Sequence, residues 1–212
     1  MDGFYWFKFK GFLIFLLSFV ALTELKMTLI DTHSHIYLPE FEPDRKLMLE
    51  RAEKEGVKQI VMPAIDCSTH DAMLRVEREN PGVCYSMMGL HPCSVKGNYA
   101  TELKVTREYM EKKSFKAVGE IGLDFYWDKT FIAQQYEAFR MQIEFSLQND
   151  LAIVIHSRNA MQETIDMLLE IMEVVGDAKD RMESLSLGNQ QRVQLAAALV
   201  HGRWTATWLR LL

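Results

Sequence analysis

Three short segments carry the residue types that bind metals. They are Asp31-Thr32-His33-Ser34-His35, Gly119-Glu120-Ile121-Gly122-Leu123-Asp124 and Ile155-His156-Ser157-Arg158. Each falls where an apolar, strand-like run ends. In extended chain, residues two apart point the same way, so His33 and His35 aim together at one point. A lone His-x-His is more often structural than functional. Here Glu120 and His156 also fall at strand ends, and imidazole with carboxylate suits a divalent metal such as zinc, manganese or magnesium. Two such ions clamp the attacking and leaving oxygens of a phosphodiester and acidify water. Asp31 has the same parity as the histidine pair and is expected to orient it. Asp66 and His70, after the second strand-like run, read as solvated loop or helix cap.

Strand ends can meet only if the strands lie side by side. From Met27 onward, strand-like and helix-like segments alternate. Strands are expected at 28–31, 57–65, 83–90, 115–121 and 151–155. Helices are expected at 43–56, 68–80, 100–113, within 128–150, and at 159–175. Phe131, Tyr136, Phe139, Ile143 and Leu147 form the expected buried stripe of the fourth helix. Runs such as Lys58-Gln59-Ile60-Val61-Met62 and Ala152-Ile153-Val154-Ile155 are almost continuously apolar, as in parallel strands covered on both faces. Five βα units predict an α/β fold, an incomplete (β/α) TIM-type barrel with a parallel sheet and its site at one rim.

These residues also resemble a known family. Ile30-Asp31-Thr32-His33-Ser34-His35, Gly89-Leu90-His91-Pro92, Val118-Gly119-Glu120-Ile121-Gly122-Leu123-Asp124-Phe125 and Ile155-His156-Ser157-Arg158 are similar to the successive signatures of TatD-type metal-dependent deoxyribonucleases. The resemblance covers residues 27 to about 173. It implies a hydrolase that uses two divalent ions against phosphodiester bonds of DNA. It implies that His33 and His35 hold the first metal, Glu120 bridges, and His156 holds the second. It places His91 near the substrate phosphate, and Asp124 and Arg158 at the mouth in supporting roles. Without it, Asp124 reads as a helix cap and Arg158 as one half of an ion pair.

The resemblance also implies a histidine after a sixth strand and an aspartate after an eighth, and neither has a counterpart here. The reading is therefore of a truncated hydrolase domain over 27–175, with weak metal binding and little turnover. Residues 182–201, from Glu183-Ser184-Leu185-Ser186-Leu187-Gly188 to Ala198-Leu199-Val200, resemble the signature segment of an ABC-transporter ATPase. That makes 176–212 a tail with one added helix. No phosphate-binding G-x-x-x-x-G-K-[ST] loop precedes it, so ATP binding is not expected. A non-catalytic fusion fragment is the competing reading.

Residues 1–26 form a hydrophobic extension with three open readings: a cleaved signal, a membrane anchor through 4–22, or an upstream stretch before a true start at Met27. The last gives a cytoplasmic protein and the anchor a membrane-associated one. The chain holds 212 residues with a formal net charge of -5, which argues against a general nucleic-acid coat protein. It does not argue against a nuclease, because bound cations invert the local field. Cys67, Cys84 and Cys93 are too few and too irregular for a disulfide framework or a zinc ribbon, and read as reduced thiols.

Overall fold

The computed structural model describes residues 28–171, with two-residue strand pieces at Lys8–Phe9, Phe12–Leu13 and Trp208–Leu209. Five βα units follow one another. They are β1 (Leu29–Asp31) and α1 (Arg45–Lys54), β2 (Val57–Pro63) and α2 (His70–Glu79), β3 (Cys84–Met87) and α3 (Tyr99–Lys112), β4 (Ala117–Asp124) and α4 (Ile132–Gln148), and β5 (Ala152–Arg158) and α5 (Met161–Ile171). β1, β2 and β3 pair in parallel, as do β4 and β5. Trp208–Leu209 pairs antiparallel with β5. The expected parallel α/β architecture of a TIM-type barrel is what forms.

The two sheets are stitched at their meeting line. Met88 bridges Val118 in parallel, and the Gly119 amide donates to the Met88 carbonyl at 2.9 Å. The Ala64 amide donates to both the Met87 and Gly119 carbonyls at 3.0 Å. Val61, Met87, Ala117 and Val154, one from each of β2 to β5, form an inner apolar cluster. Helices cover the outer faces: Met73 and Val76 of α2 pack on Ile60, Met62 and Cys84, while Phe139, Ile143 and Leu168 pack on Val118, Ile121 and Ile153.

Two expectations are corrected here. β4 and β5 each continue three residues past their expected ends, at 121 and 155, to Asp124 and Arg158. Glu120 and His156 therefore sit inside paired strands. The polar residues that seemed to mark strand ends are partnered at the rim, so the ladder carries on through them. The buried face of α4 is also shifted. Leu147 is 44% exposed, while Gln135 and Gln142 are buried. Each glutamine makes a reciprocal pair with one backbone residue. The Leu90 amide donates to Gln142 Oε1 (2.7 Å), and Gln142 Nε2 donates back to the Leu90 carbonyl (3.3 Å). Gln135 treats Asp124 the same way, at 2.8 and 3.1 Å. On that side the rim backbone meets no other described strand, and the glutamine amides take a strand's place.

Among the described residues no helix is long and apolar enough to cross a membrane. The expected membrane segment at 4–22 lies outside the described residues, apart from its two strand pieces. The ATPase-like stretch at 182–201 and its helix also lie outside them.

Candidate metal centre

β1 ends at Asp31, and the chain runs on outside regular structure through His35. The Asp31 carboxylate accepts from the His33 amide at 3.1 Å, so it shapes the backbone rather than orienting an imidazole as expected. The Ser34 amide bonds the Val61 carbonyl at 3.0 Å, locking the segment to β2. Both rings fall on one side, with Nε2 of His33 3.3 Å from Nε2 of His35. Tyr37 sets the tautomer of His35. Its hydroxyl donates to the Pro63 carbonyl at 2.6 Å, so it accepts from His35 Nδ1–H at 2.9 Å. His35 Nε2 is thereby left as a bare lone pair facing the site. Tyr37 has the same parity as the histidine pair, a signal that sequence reasoning left unused.

Glu120 stands opposite. Gly122, two residues on, has φ 142°, and a Cβ there would lie 2.0 Å from the His156 carbonyl oxygen. Only glycine lets β4 and β5 close this tightly. The closure brings Glu120 and His156 together. Glu120 Oε2 lies 3.1 Å from His33 Nε2, 3.6 Å from His91 Nε2 and 3.9 Å from His35 Nε2. Its Oε1 lies 3.2 Å from His156 Nδ1. Burial alone would raise this carboxyl. The hydrogen bonds from His156 and His33 outweigh burial and hold it well below the usual carboxylate range.

His156 is held at both nitrogens, since its Nε2 lies 2.8 Å from Asp124 Oδ2. Burial alone would lower this imidazole, but the bonds to Glu120 and Asp124 raise it above its ordinary value. Asp124 is a hub. Oδ2 also accepts from the Cys93 thiol at 3.3 Å, while Oδ1 accepts from the Tyr126 and Trp127 amides at 3.0 and 3.1 Å. Burial would raise Asp124, but these backbone bonds and His156 lower it. Burial first, then Asp124, pushes the Cys93 thiol up to about 12. His91 Nδ1 accepts from the Cys93 amide at 3.1 Å, which leaves the proton on Nε2. Burial pushes its pKa down to about 4, so His91 is neutral at physiological pH.

Among the described residues Arg158 does not make the ion pair that one reading offered. Its guanidinium lies 4.0 Å from the Tyr126 ring centroid and 5.0 Å from that of Trp127. His70 is buried against the Tyr109 ring rather than solvated, because the first turn of α2 packs inward. Asp66 caps its own turn through Ser68 and accepts from the Ser94 hydroxyl. The three cysteines are free thiols, as expected.

Among the described residues, two groups bring their ligand atoms within 4.8 Å of one another: His33, His35 and Glu120, and His91, Cys93 and His156. The first fits a divalent ion well. Two imidazole nitrogens meet beside a carboxylate oxygen held in its charged form, a donor set that suits a divalent cation.

A family model described as TatD related DNase matches residues 30–181. The chain belongs to the TatD family. An uncharacterized metal-dependent hydrolase of Bacillus subtilis, YabD, is 32% identical over 142 residues, which is 67% of this chain and 55% of that protein. The Escherichia coli hydrolase YjjV is 33% identical over 131 residues, covering 61% of this chain and 50% of its own length. The crystal structure of YjjV, a TatD homologue, superposes with a TM-score of 0.65 at 26% identity, covering 80% of this chain and 65% of that one. The chain thus spans about half the length of the curated relatives it matches. The TatD match ends at residue 181, and nothing in the comparisons supports the ATPase reading of 182–201. The crippled, fusion-fragment and membrane-tethered readings likewise find no support in them.

Proposed function

We propose that this chain is a metal-dependent phosphodiesterase acting on DNA. The carrying observation is the convergence of four imidazoles on the single carboxylate of Glu120. His33 and His35 would hold one divalent ion through Nε2, with Glu120 shared between it and a second ion held by His156 Nδ1. When bound, such ions supply Lewis acidity and acidify water. The chain's own groups do the rest. Tyr37 fixes the lone pair of His35. Asp124 accepts a hydrogen bond from His156 Nε2–H and so aims Nδ1 inward. His91, neutral and with its proton on Nε2, donates a hydrogen bond to a phosphoryl oxygen lying beside Glu120. Arg158 supplies positive charge at the mouth. The ion is magnesium, manganese or zinc, since the nitrogen and oxygen donors accept all three.

Other members of the family bear names of the same chemistry. A Yersinia pseudotuberculosis relative, 29% identical, is named a 3'-5' ssDNA/RNA exonuclease, and a human one, 28% identical, a deoxyribonuclease. The test is cleavage of an end-labelled DNA strand with manganese, magnesium or zinc. Activity that chelator abolishes, and that His33→Ala and Glu120→Ala each lower by two orders of magnitude or more, is the expected result. Cleavage indifferent to chelator, or absent with all three metals, overturns the proposal.

A further inference from the structure

β4 ends at Asp124 and the chain turns at once through Phe125, Tyr126 and Trp127. Both amides of the turn are pinned on Asp124 Oδ1, whose partner oxygen holds His156. One carboxylate thus fixes a candidate metal ligand and a pair of aromatic rings. Strand register does the same for the cation, because Arg158 is the β5 partner of Asp124. The two rings meet edge to face, 4.8 Å apart at 85°. They are half and two-thirds exposed, 50% for Tyr126 and 66% for Trp127.

Each part is unusual for surface with no task. Scattered exposed apolar residues are ordinary, but two adjacent aromatics on a pinned turn are a patch. A packed tryptophan hides about 150–250 Å², yet Trp127 leaves most of its surface in water. Arg158 has no carboxylate partner among the described residues, and its guanidinium carbon lies over the Tyr126 and Trp127 rings, 4.0 and 5.0 Å from their centroids, so its charge is not paired with an anion. A cation with no anionic partner there, a largely exposed indole and an adjoining candidate metal centre complement a ligand that carries an anion beside a flat apolar ring. Such a ligand is a nucleotide.

We infer that Trp127, Tyr126 and Arg158 form a base-stacking subsite. The Trp127 indole stacks on the nucleobase next to the scissile phosphate, and Arg158, braced by Tyr126, takes the flanking phosphate. This inference rests on the phosphodiesterase reading and adds to it the residues that grip the strand through its bases. Aromatic stacking tolerates every base, so the subsite selects base-bearing strand over bare backbone and reads no sequence.

The experiment is fluorescence anisotropy in chelator, so that nothing is cut. The probes are a short oligothymidylate and an abasic strand of equal length and charge. Stacking on one aromatic ring is worth about 1–3 kcal/mol per base, so Trp127→Ala should weaken oligothymidylate binding by about 5- to 100-fold and abasic binding by less than about twofold. Trp127→Phe should restore most of the difference, and Arg158→Gln should weaken both strands together. Equal losses for the two strands in Trp127→Ala, or no loss in either, overturn the subsite; binding through backbone alone or an unrelated protein contact would give those patterns. The phosphodiesterase reading fails separately, in the metal-dependent cleavage assay. A chain that discriminates the strands but cuts neither keeps the subsite and loses the reaction.

Discussion

At the scale of single residues, the site is defined by which nitrogen carries each proton. Tyr37 decides this for His35, so Tyr37→Phe removes the acceptor for Nδ1–H and frees the ring to flip. Loss of such an outer partner typically costs 10–100-fold in metal affinity, and calorimetric titration with manganese should find a loss in that range, while near-native affinity would remove Tyr37 from the site. His156 gives a pH signature. Its pKa in the folded chain lies above the ordinary 6.5, so its ion pairs contribute stability fully below pH 6.5. That contribution is lost as pH rises through the raised value. Metal-free protein should therefore lose melting temperature as pH rises above 6.5 more steeply than a His156→Gln variant. Metal added at high pH should reverse the trend, because it binds the deprotonated ring. His33, His35, Glu120 and His156 were all legible as candidates, since period-two spacing and the ends of apolar runs mark them. Tyr37 was not, because its role rests on its hydroxyl bridging His35 and the Pro63 carbonyl, which spacing alone does not show.

At the scale of elements, the order of the five βα units followed from apolar runs and their punctuation. The extents of β4 and β5 did not, since Asp124 and Arg158 look like loop residues until their ladder partners are known. The face of α4 was misread for a similar reason. Gln135 and Gln142 are polar in composition but serve as strand substitutes, and hydrophobic periodicity cannot see that. Gln142→Leu should leave the buried amide and carbonyl of Leu90 without partners. Each orphaned group costs about 1–3 kcal/mol, so denaturant unfolding should show a loss of about 2 kcal/mol or more, whereas a neutral result would mean that water reaches the rim. Gly122→Ala should be harsher, because the added carbon meets a backbone oxygen of β5 rather than a movable side chain. A strain of several kcal/mol is expected there, visible as low soluble yield and, in what survives, weakened metal binding.

At the scale of the whole molecule, a buried carboxylate ringed by imidazoles is a poor arrangement without a cation and a good one with it. Ion binding to the folded chain alone should then raise stability by about 2.7 kcal/mol at a hundredfold excess over Kd. For a domain of this size that is about 5–10 °C in Tm. Chelation should reverse the gain, and His33→Ala should abolish most of it. A melting temperature indifferent to chelator would mean that the donors do not act as one site. The TatD fold itself was legible from four ordered motifs, because each motif ties a strand to the residue it presents.

The paired glutamines carry one more consequence, in time rather than in space. The amide hydrogens of Leu90 and Asp124 are bonded to side chains of α4, not to another strand. Their deuterium uptake should keep the clock of that helix rather than that of the sheets. If α4 lifts away as a unit, both amides should open with it, and the residues beside His91 and His156 should lose their hold at the same moment. An outer helix then sets how long the rim stays in working order.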